Sequence, residues 1–463
     1  MYVEVQWIHY HSNILQWAIH EKHYATEFSF LHKRTFLGPL QNLPPVLSSE
    51  RGPGSEERRK HSPALVLAFL TQTSPFHPEL VGQTDSPYDT AEFYAAATRK
   101  HLSFDFSTDG EEALQQIQAF LMLGYHEWTA CHGRNGYMLI RTAISFAQMN
   151  DYQYEDDLDK GNENEDAASR RDRFIMQESR RRTFWSCFIL DRWLSVGRRR
   201  PKILHIDNTK IQIPCSDKNF NTGRPVKTRF FGETDEVYEE RRKKLRQRRL
   251  DEQQYEKIEW EDREDDGVLG RYIYVIDHFS DVARWANAGG RRCALWAKSN
   301  GLCIADLFRS EEDPHIGPWN PKTAFYHLDR RLREIREDLP DELRLTSLNT
   351  ENHIYGGTSR TYFLIHAMLA LSTTFLYPEY IAFAPWKKLK PEGPLDDPKV
   401  TEPLPEDQPN YWVDKVKECF EHVRDFVGIL QSLKDRDLVP ESPFAGFAIY
   451  KAAWCGKLSL QCS

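Results

Sequence analysis

"ESRRRTFWSCFILDR", Glu178 to Arg192, is the stretch whose reading decides the fold class. At helical spacing Arg180, Phe184, Cys187, Asp191 and Leu194 share a face, bordered by Trp185, Phe188 and Arg192. An aspartate or arginine buried alone on an aromatic face is costly, and pairing reduces the cost. Charges at the edges of such a face therefore hold helices together. Glu178 and Arg182, four residues apart with the acid first, add local support. Consecutive helix positions point about 100° apart, so Arg180, Arg181 and Arg182 cannot all face one DNA groove. The stretch predicts an architectural helix.

The same periodicity spreads outward from it. "EEALQQIQAFLML" puts Leu114, Ile117 and Leu121 on one face, with Asp109 or Ser107 as caps, and "GYMLIRTAISFAQM" repeats the pattern through Tyr137, Ile140, Ile144 and Ala147. Further on, Tyr272, Val275, Phe279 and Val282 form a stripe. Phe325, Leu328, Leu332, Ile335 and Leu339 form another, between a start at Asn320 and Pro321 and a stop at Pro340. Val413, Val416, Phe420, Val423, Val427 and Leu430 give the longest. Strand signals are nearly absent apart from the alternation in "TKIQIP". The fold class is all-α, a multi-helix domain with long polar loops and a charged linker.

Organisation follows from the breaks. "SSERGPGSEERRKHSP" reads as an exposed loop, and Asp151 to Ala168 is too polar to order itself. Glu233 to Gly267 is almost pure charge, without heptads, and reads as a solvated linker or exposed helix. The expected divisions are an N-terminal segment at 1–62, a core at 63–232, the linker at 233–267 and a C-terminal helical part at 268–463. Within the linker the basic run Arg241, Arg242, Lys243, Lys244, Arg246, Arg248 and Arg249 is a candidate nuclear import signal.

Composition excludes several classes. The 463 residues are 40% hydrophobic and 28% charged, which are globular values. A net charge of -8 argues against a chain-wide basic surface of the kind that dominates non-specific nucleic-acid binding. The longest apolar run, "YFLIHAMLALSTTFLY" from Tyr362, falls short of the roughly 18 to 20 residues that span a bilayer and reads as a buried helix. No membrane partner is expected. The eight cysteines include no C-x2-C pair, the spacing that lets two thiolates of one turn share a metal, so no metal site is expected.

Catalytic patterns fail one by one. "HEWTA" at His126 has Ala130 where a zincin places its second histidine, and "HEKH" at His20 brings that histidine one residue too soon. His9, His11, His20, His23 and His32 are dense but have no cysteine or carboxylate motif beside them. No phosphate-binding glycine loop and no G-x-S-x-G is present, and nothing nominates an enzyme.

Taken in order, "IQAFLMLGYHEW", "GYMLIRTAISFAQMNDYQ", "ESRRRTFWSCFILDR" and "GRRRPKILHIDNTKIQIPCSDKNF" resemble the regulatory middle homology domain of fungal zinc-cluster transcription factors. "FSFLHKRTFL" and "SPFAGFAIYKAAW" are similar to its flanking parts. The resemblance implies an all-helical regulatory domain in a nuclear protein that controls transcription, with the transcription machinery or another transcription factor as partner and a small-molecule inducer as effector. In that family a separate cluster of six cysteines and two zinc ions binds DNA. This chain has no such set, so zinc is expected only in a missing module and DNA is reached indirectly or through that module. The alternative is a DNA-independent helical scaffold or small-molecule-binding regulatory protein.

The resemblance also makes a fold signature of Glu178, Arg181, Arg182, Phe184, Trp185, Asp191 and Arg192. Gly197, Arg200 and Pro201 match its loop, and Pro214 with Cys215 the end of that loop. The aromatic opening of the chain, and a helical stripe through Phe447, Tyr450, Trp454 and Leu458 that runs almost to the last residue, lead us to expect an incomplete representative of the family.

Overall fold

The computed structural model describes residues 10–41, 61–155, 166–197, 200–251, 259–260, 267–292, 315–380, 391–394 and 396–460. Among them are sixteen α-helices and one parallel pair of two-residue strands, so the class is all-α as expected. The chain divides into two compact units: Met1–Asp191 with Ile203–Gly270, and Arg192–Lys202 with Arg271–Ser463.

The first unit opens with α1 (Tyr10–His23), α2 (Lys33–Gln41) and α3 (Pro63–Thr73). Ser62 caps α3 by accepting the Leu65 N–H, with Pro63 in the first turn, and the Ser86–Pro87 pair starts α5 in the same way. After α4 (Pro78–Val81) and α5 (Pro87–His101), the long pair α6 (Gly110–Thr129) and α7 (Gly133–Met149) forms the centre of the unit. The expected caps of α6 do not form. Asp109 makes no capping bond, and the Ser107 hydroxyl donates to Asp105 at 2.6 Å. From Ala113 to Glu127 the helix is buried on every side, wider than the single face its stripe predicts.

Glycine lets α6 and α7 approach this closely. A Cβ on Gly136 would stand 2.8 Å from both the Gly124 carbonyl oxygen and the Trp128 amide nitrogen, which are backbone atoms that cannot swing aside. Gly136→Ala is therefore expected to destabilise the protein by about 2 kcal/mol through overpacking. Urea denaturation measures this, and a variant as stable as the parent would refute the close approach. At the same junction Glu127 is buried and accepts from Arg99 at 2.9 and 2.5 Å and from His132 Nδ1 at 3.0 Å. The "HEWT" glutamate thus locks α5, α6 and α7 together.

The unit continues with α8 (Ala167–Ser195), α9 (Asp217–Thr222), β1 (Val226–Lys227), α10 (Asp235–Asp251) and β2 (Glu259–Trp260). The division between units falls within α8, after Asp191. The stretch expected as a linker is assigned to the first unit, and its first half is helix α10. Arg241 shows what anchors that helix. It donates to Glu233 at 2.8 Å twice and to the Thr228 carbonyl at 3.0 Å, and lies 4.6 to 5.3 Å from the rings of Phe230, Tyr238 and Trp260. A guanidinium held by two carboxylate oxygens and three aromatic faces fixes the helix it belongs to.

In the second unit, α11 (Val268–Asn287) supplies residues from Arg271 onward, followed by α12 (Ala324–Glu337), α13 (Ser347–Tyr355), α14 (Ser359–Leu376), α15 (Tyr411–Lys434) and α16 (Pro443–Leu460). Helix α12 starts later than Asn320–Pro321. The Asn320 side chain accepts the Lys322 N–H in a turn, and Thr323 is the cap that accepts the Tyr326 N–H. Helix α14 is buried almost throughout, as its apolar run predicts. On α15 the buried face is rotated from the predicted stripe: Trp412, Lys415, Cys419, Val423, Phe426 and Ile429 face inward, while Val427 is exposed. The reason is Lys415, whose ammonium donates to Asp329 at 3.1 Å, Glu418 at 2.8 Å and the Tyr377 hydroxyl at 3.2 Å. A paired lysine occupies a position where apolar pattern alone looks for a valine.

Candidate functional site

Helix α8 carries the signature, and from Arg181 to Ser195 all of its residues are buried. The three arginines point in different directions, and each meets its own partners. Arg180 lies 4.7 Å from the Tyr152 ring centroid and donates to the Asp151 carbonyl at 2.9 Å. Arg181 donates to Glu155 at 2.5 and 3.2 Å and to Glu178. Arg182 donates to Glu178 at 3.0 Å, Asp217 at 2.8 Å and the Cys215 carbonyl at 2.8 Å, and lies 4.3 Å from the Phe220 ring.

Burial alone would weaken both guanidinium charges. For Arg181 the carboxylates of Glu155 and Glu178, and for Arg182 those of Asp217 and Glu178, more than offset it, and both groups are held above the ordinary arginine pKa. Glu178 also accepts the Cys215 N–H at 3.0 Å, and Glu155 accepts the Gln212 N–H at 2.9 Å. Trp185 donates its indole N–H to the Gln212 carbonyl at 2.8 Å. The segment Gln212 to Asp217, with Pro214 and Cys215 inside it, is thus tied to α8 by backbone and side chain together. The alternation read in "TKIQIP" appears as buried Ile211 and Ile213, with a bridge from Gln212 to Phe230. Phe184 and Trp185 are fully buried, their centroids 5.4 Å apart in an edge-to-face pair.

Toward the end of the helix, Asp191 accepts from Arg141 at 2.8 Å and from the N–H groups of Ile203 and Leu204 at 3.2 Å. Arg192 belongs to the second unit and donates to Asp277 at 2.9 Å. Asp277 also takes Lys202 at 3.3 Å and Arg331 at 3.1 Å. Burial would raise its pKa; Lys202, Arg192 and Arg331 reverse that and keep the carboxyl well below the usual range. Gly197 and Arg200 close a turn, the Arg200 N–H donating to the Gly197 carbonyl at 3.1 Å, and Pro201 is exposed.

Several members of this arrangement had no local signal. Glu155 lies in a stretch that reads as too polar to order, and Asp217 and Lys202 look like ordinary loop charges. Asp277 could have been found, because a lone aspartate inside the apolar "YVIDHF" demands a cation. Of the import candidates, Arg241 is caged, Arg242 pairs with Glu239 at 3.2 Å, Lys243 is exposed, and Lys244 pairs with Glu240 at 2.7 Å on the surface. The side chains of Arg246, Arg248 and Arg249 lie outside the described residues, as do Cys293, Cys303, Cys455 and Cys462. Among the described residues no group of three histidine, cysteine, aspartate or glutamate side chains is placed to hold a metal, and no helix is long and apolar enough to cross a membrane.

The first unit also holds a cavity of about 200 Å³ against the N-terminal half of α8. Phe30, Leu31, Phe36, Leu65, Leu114 and Ile175 give it apolar walls. Gln118, Ser179, His32 and His61 add polar groups, and Glu111 with Asp172 are exposed at its rim. Burial lowers the pKa of His32 and of His61, so both imidazoles are neutral near pH 7. His61 Nε2 is 2.9 Å from the Phe36 carbonyl oxygen and donates to it.

Comparison with known proteins places this arrangement. Residues 17–243 match the fungal specific transcription factor domain. An uncharacterized transcriptional regulatory protein of Schizosaccharomyces pombe is 24% identical over 402 residues, covering 84% of this chain and 51% of its own length. A second such protein of that yeast is 24% identical over 346 residues, 74% of this chain and 30% of its own. A Zn(2)-C6 fungal-type transcription factor of Fusarium oxysporum f. sp. lycopersici is 28% identical over 212 residues, 45% of this chain and 20% of its own. The chain spans about half the length of the first of these relatives and less of the others. No solved structure matches it. Through residues 17–243, just under half of its length, the chain is similar to the fungal proteins that carry the fungal specific transcription factor domain.

Proposed function

We propose that this chain is a nuclear transcription regulator that acts through its helical regulatory domain. The match of residues 17–243 to the fungal specific transcription factor domain carries this reading. The signature helix supports it: its arginines and acids hold one another and the loop beyond, an arrangement for fixing a scaffold and not for turning over a substrate. Zinc and sequence-specific DNA contact are assigned to a six-cysteine module distinct from these residues, whose cysteines have no C-x2-C pair. The transcription machinery or a second transcription factor is the partner. For nuclear entry, Lys243 and Lys244 are the exposed members of the basic run among the described side chains, whereas Arg241 is held inside its aromatic cage.

The test is a fusion of the full chain to an unrelated DNA-binding domain in a fungal reporter strain. Reporter output is expected to change several-fold, in either direction, when the fusion occupies its promoter. Unchanged output at full promoter occupancy would overturn the reading.

A further inference from the structure

The segment "VTEPLPEDQPN", Val400 to Asn410, leads into α15 and lies wholly within the described residues. Proline follows both Glu402 and Leu404. A residue before proline is pushed out of the helical region into extended backbone, and proline itself holds φ at about −65°. Pro403 to Pro405 is thereby set as one turn of polyproline II, which has about three residues per turn and no hydrogen bonds of its own. The structure agrees: no described residue hydrogen-bonds to the Leu404 amide or to the carbonyls of Pro403 and Leu404. Pro403, Leu404, Glu406 and Asp407 are exposed, while Glu402 and Pro405 are half-buried toward the body of the unit.

Both ends of the turn are pinned. Upstream, the Thr401 N–H donates to the His315 carbonyl at 2.9 Å, and Glu402 accepts the Gly317 N–H at 2.7 Å and the Asn320 side-chain amide at 3.0 Å. Downstream, the Gln408 N–H donates to the Pro405 carbonyl at 3.0 Å and the Tyr411 N–H to the Gln408 carbonyl at 3.1 Å. Tyr411 and Trp412 are buried, each edge-to-face with Trp319 at 5.2 and 5.5 Å. A segment held this way has lost most of its conformational freedom before a partner arrives, which favours binding. Its charge has one sign. Glu402, Glu406 and Asp407 are the charged residues between Val400 and Asn410, and none of them forms an ion pair with a described residue. Lys399, exposed, stands just before them.

We propose that Pro403 to Asp407 is a docking motif for a protein domain whose groove is lined by aromatic rings and rimmed by lysine or arginine. The rings receive Pro403 and Leu404, the one exposed apolar pair of the segment. Indole or phenol groups of the groove donate to the open carbonyls of Pro403 and Leu404. The basic rim meets Glu406 and Asp407, which fixes the direction in which the motif is read. The proposal does not depend on the regulatory reading above.

Titration calorimetry on the purified full chain tests it. The probes are purified SH3 and WW domains, one set with lysine or arginine around the aromatic groove and one set with aspartate or glutamate there. At low salt the best basic-rimmed domain is expected to bind at least about tenfold more tightly than any acidic-rimmed one, and to weaken as salt is added. The double variant Pro403→Ala/Leu404→Ala, changed only at exposed positions, is expected to melt as the parent does and to lose at least about tenfold in that affinity. A synthetic peptide of residues 399–409 is expected to bind several-fold more weakly than the full chain, because it has to be ordered on binding. No heat with any domain up to about 1 mM, equal affinity for the two sets, or parent-like binding by the double variant would each overturn the proposal. A peptide that binds as tightly as the full chain would overturn the pinned geometry on which it stands.

Discussion

Asp191→Ala is expected to lower the stability of the protein by about 5 kcal/mol, a large share of the roughly 5 to 15 kcal/mol that holds a domain folded. The carboxylate is fully buried and does three things at once. It neutralises Arg141, itself almost buried, and it accepts the N–H groups of Ile203 and Leu204 where the chain returns from the signature loop. Alanine takes away the counter-charge of a buried guanidinium, which costs about 3 to 5 kcal/mol, and strands two amide donors at about 1 kcal/mol or more each. Asp191→Asn keeps one acceptor oxygen and is expected to lose less. Denaturant unfolding of the three proteins measures the order. A parent-like midpoint for the alanine variant would show that the helix does not depend on its charges.

Acidification is expected to destabilise the second unit by about 6 kcal/mol between pH 7 and pH 5, on the order of 2 kcal/mol for each of three histidines. Burial holds the pKa of His278 and of His366 down to about 3 and that of His422 down to about 4, with Arg331 and Arg336 adding to the effect for His278 and Arg336 for His422. The unfolded chain takes up these protons near the ordinary value of 6.5. A folded pKa below the unfolded one means that stability is complete above about 6.5 and is lost as pH falls, down to the folded values. The paired acids of this unit do not share the trend in that window, since cations hold Asp277, Asp329 and Glu418 below their ordinary values. Urea unfolding at pH 7, 6 and 5 gives the profile. A flat one would mean that the three imidazoles are protonated, or exposed, in the folded protein.

Fold class and the identity of the decisive helix were legible because they rest on periodicity and on local pairs. Glu178 and Arg182 could be joined by counting residues, and their atoms stand 3.0 Å apart. The long apolar run from Tyr362 gave α14 for the same reason. What was not legible lies at long sequence separation. Nothing near Asp191 names Arg141, fifty positions earlier, and nothing near Arg192 names Asp277. The face of α15 was misplaced because a stripe of valines outweighs one lysine in any count of hydrophobicity, while in the structure the lysine has four polar atoms to meet. The expected linker shows a third limit: Arg241 reads as one more solvated charge until Phe230, Tyr238 and Trp260 are seen around it. The cavity had no signal at all, since its walls come from separate stretches of chain.

The cross-element pairing of α8 also sets how such a chain can diverge. Apolar core positions exchange leucine, isoleucine and methionine at small cost, so lineages drift through them freely. A buried carboxylate has no such neighbours in sequence space: one change leaves its partners stranded. Glu178 answers to two arginines of its own helix and to the backbone N–H of Cys215, and Asp191 to Arg141 and to the backbone N–H groups of Ile203 and Leu204. An amide donor persists whatever residue carries it, so replacing either acid strands donors that no second substitution removes. Descendants of one ancestor can therefore lose most of their common residues and still spell this helix alike.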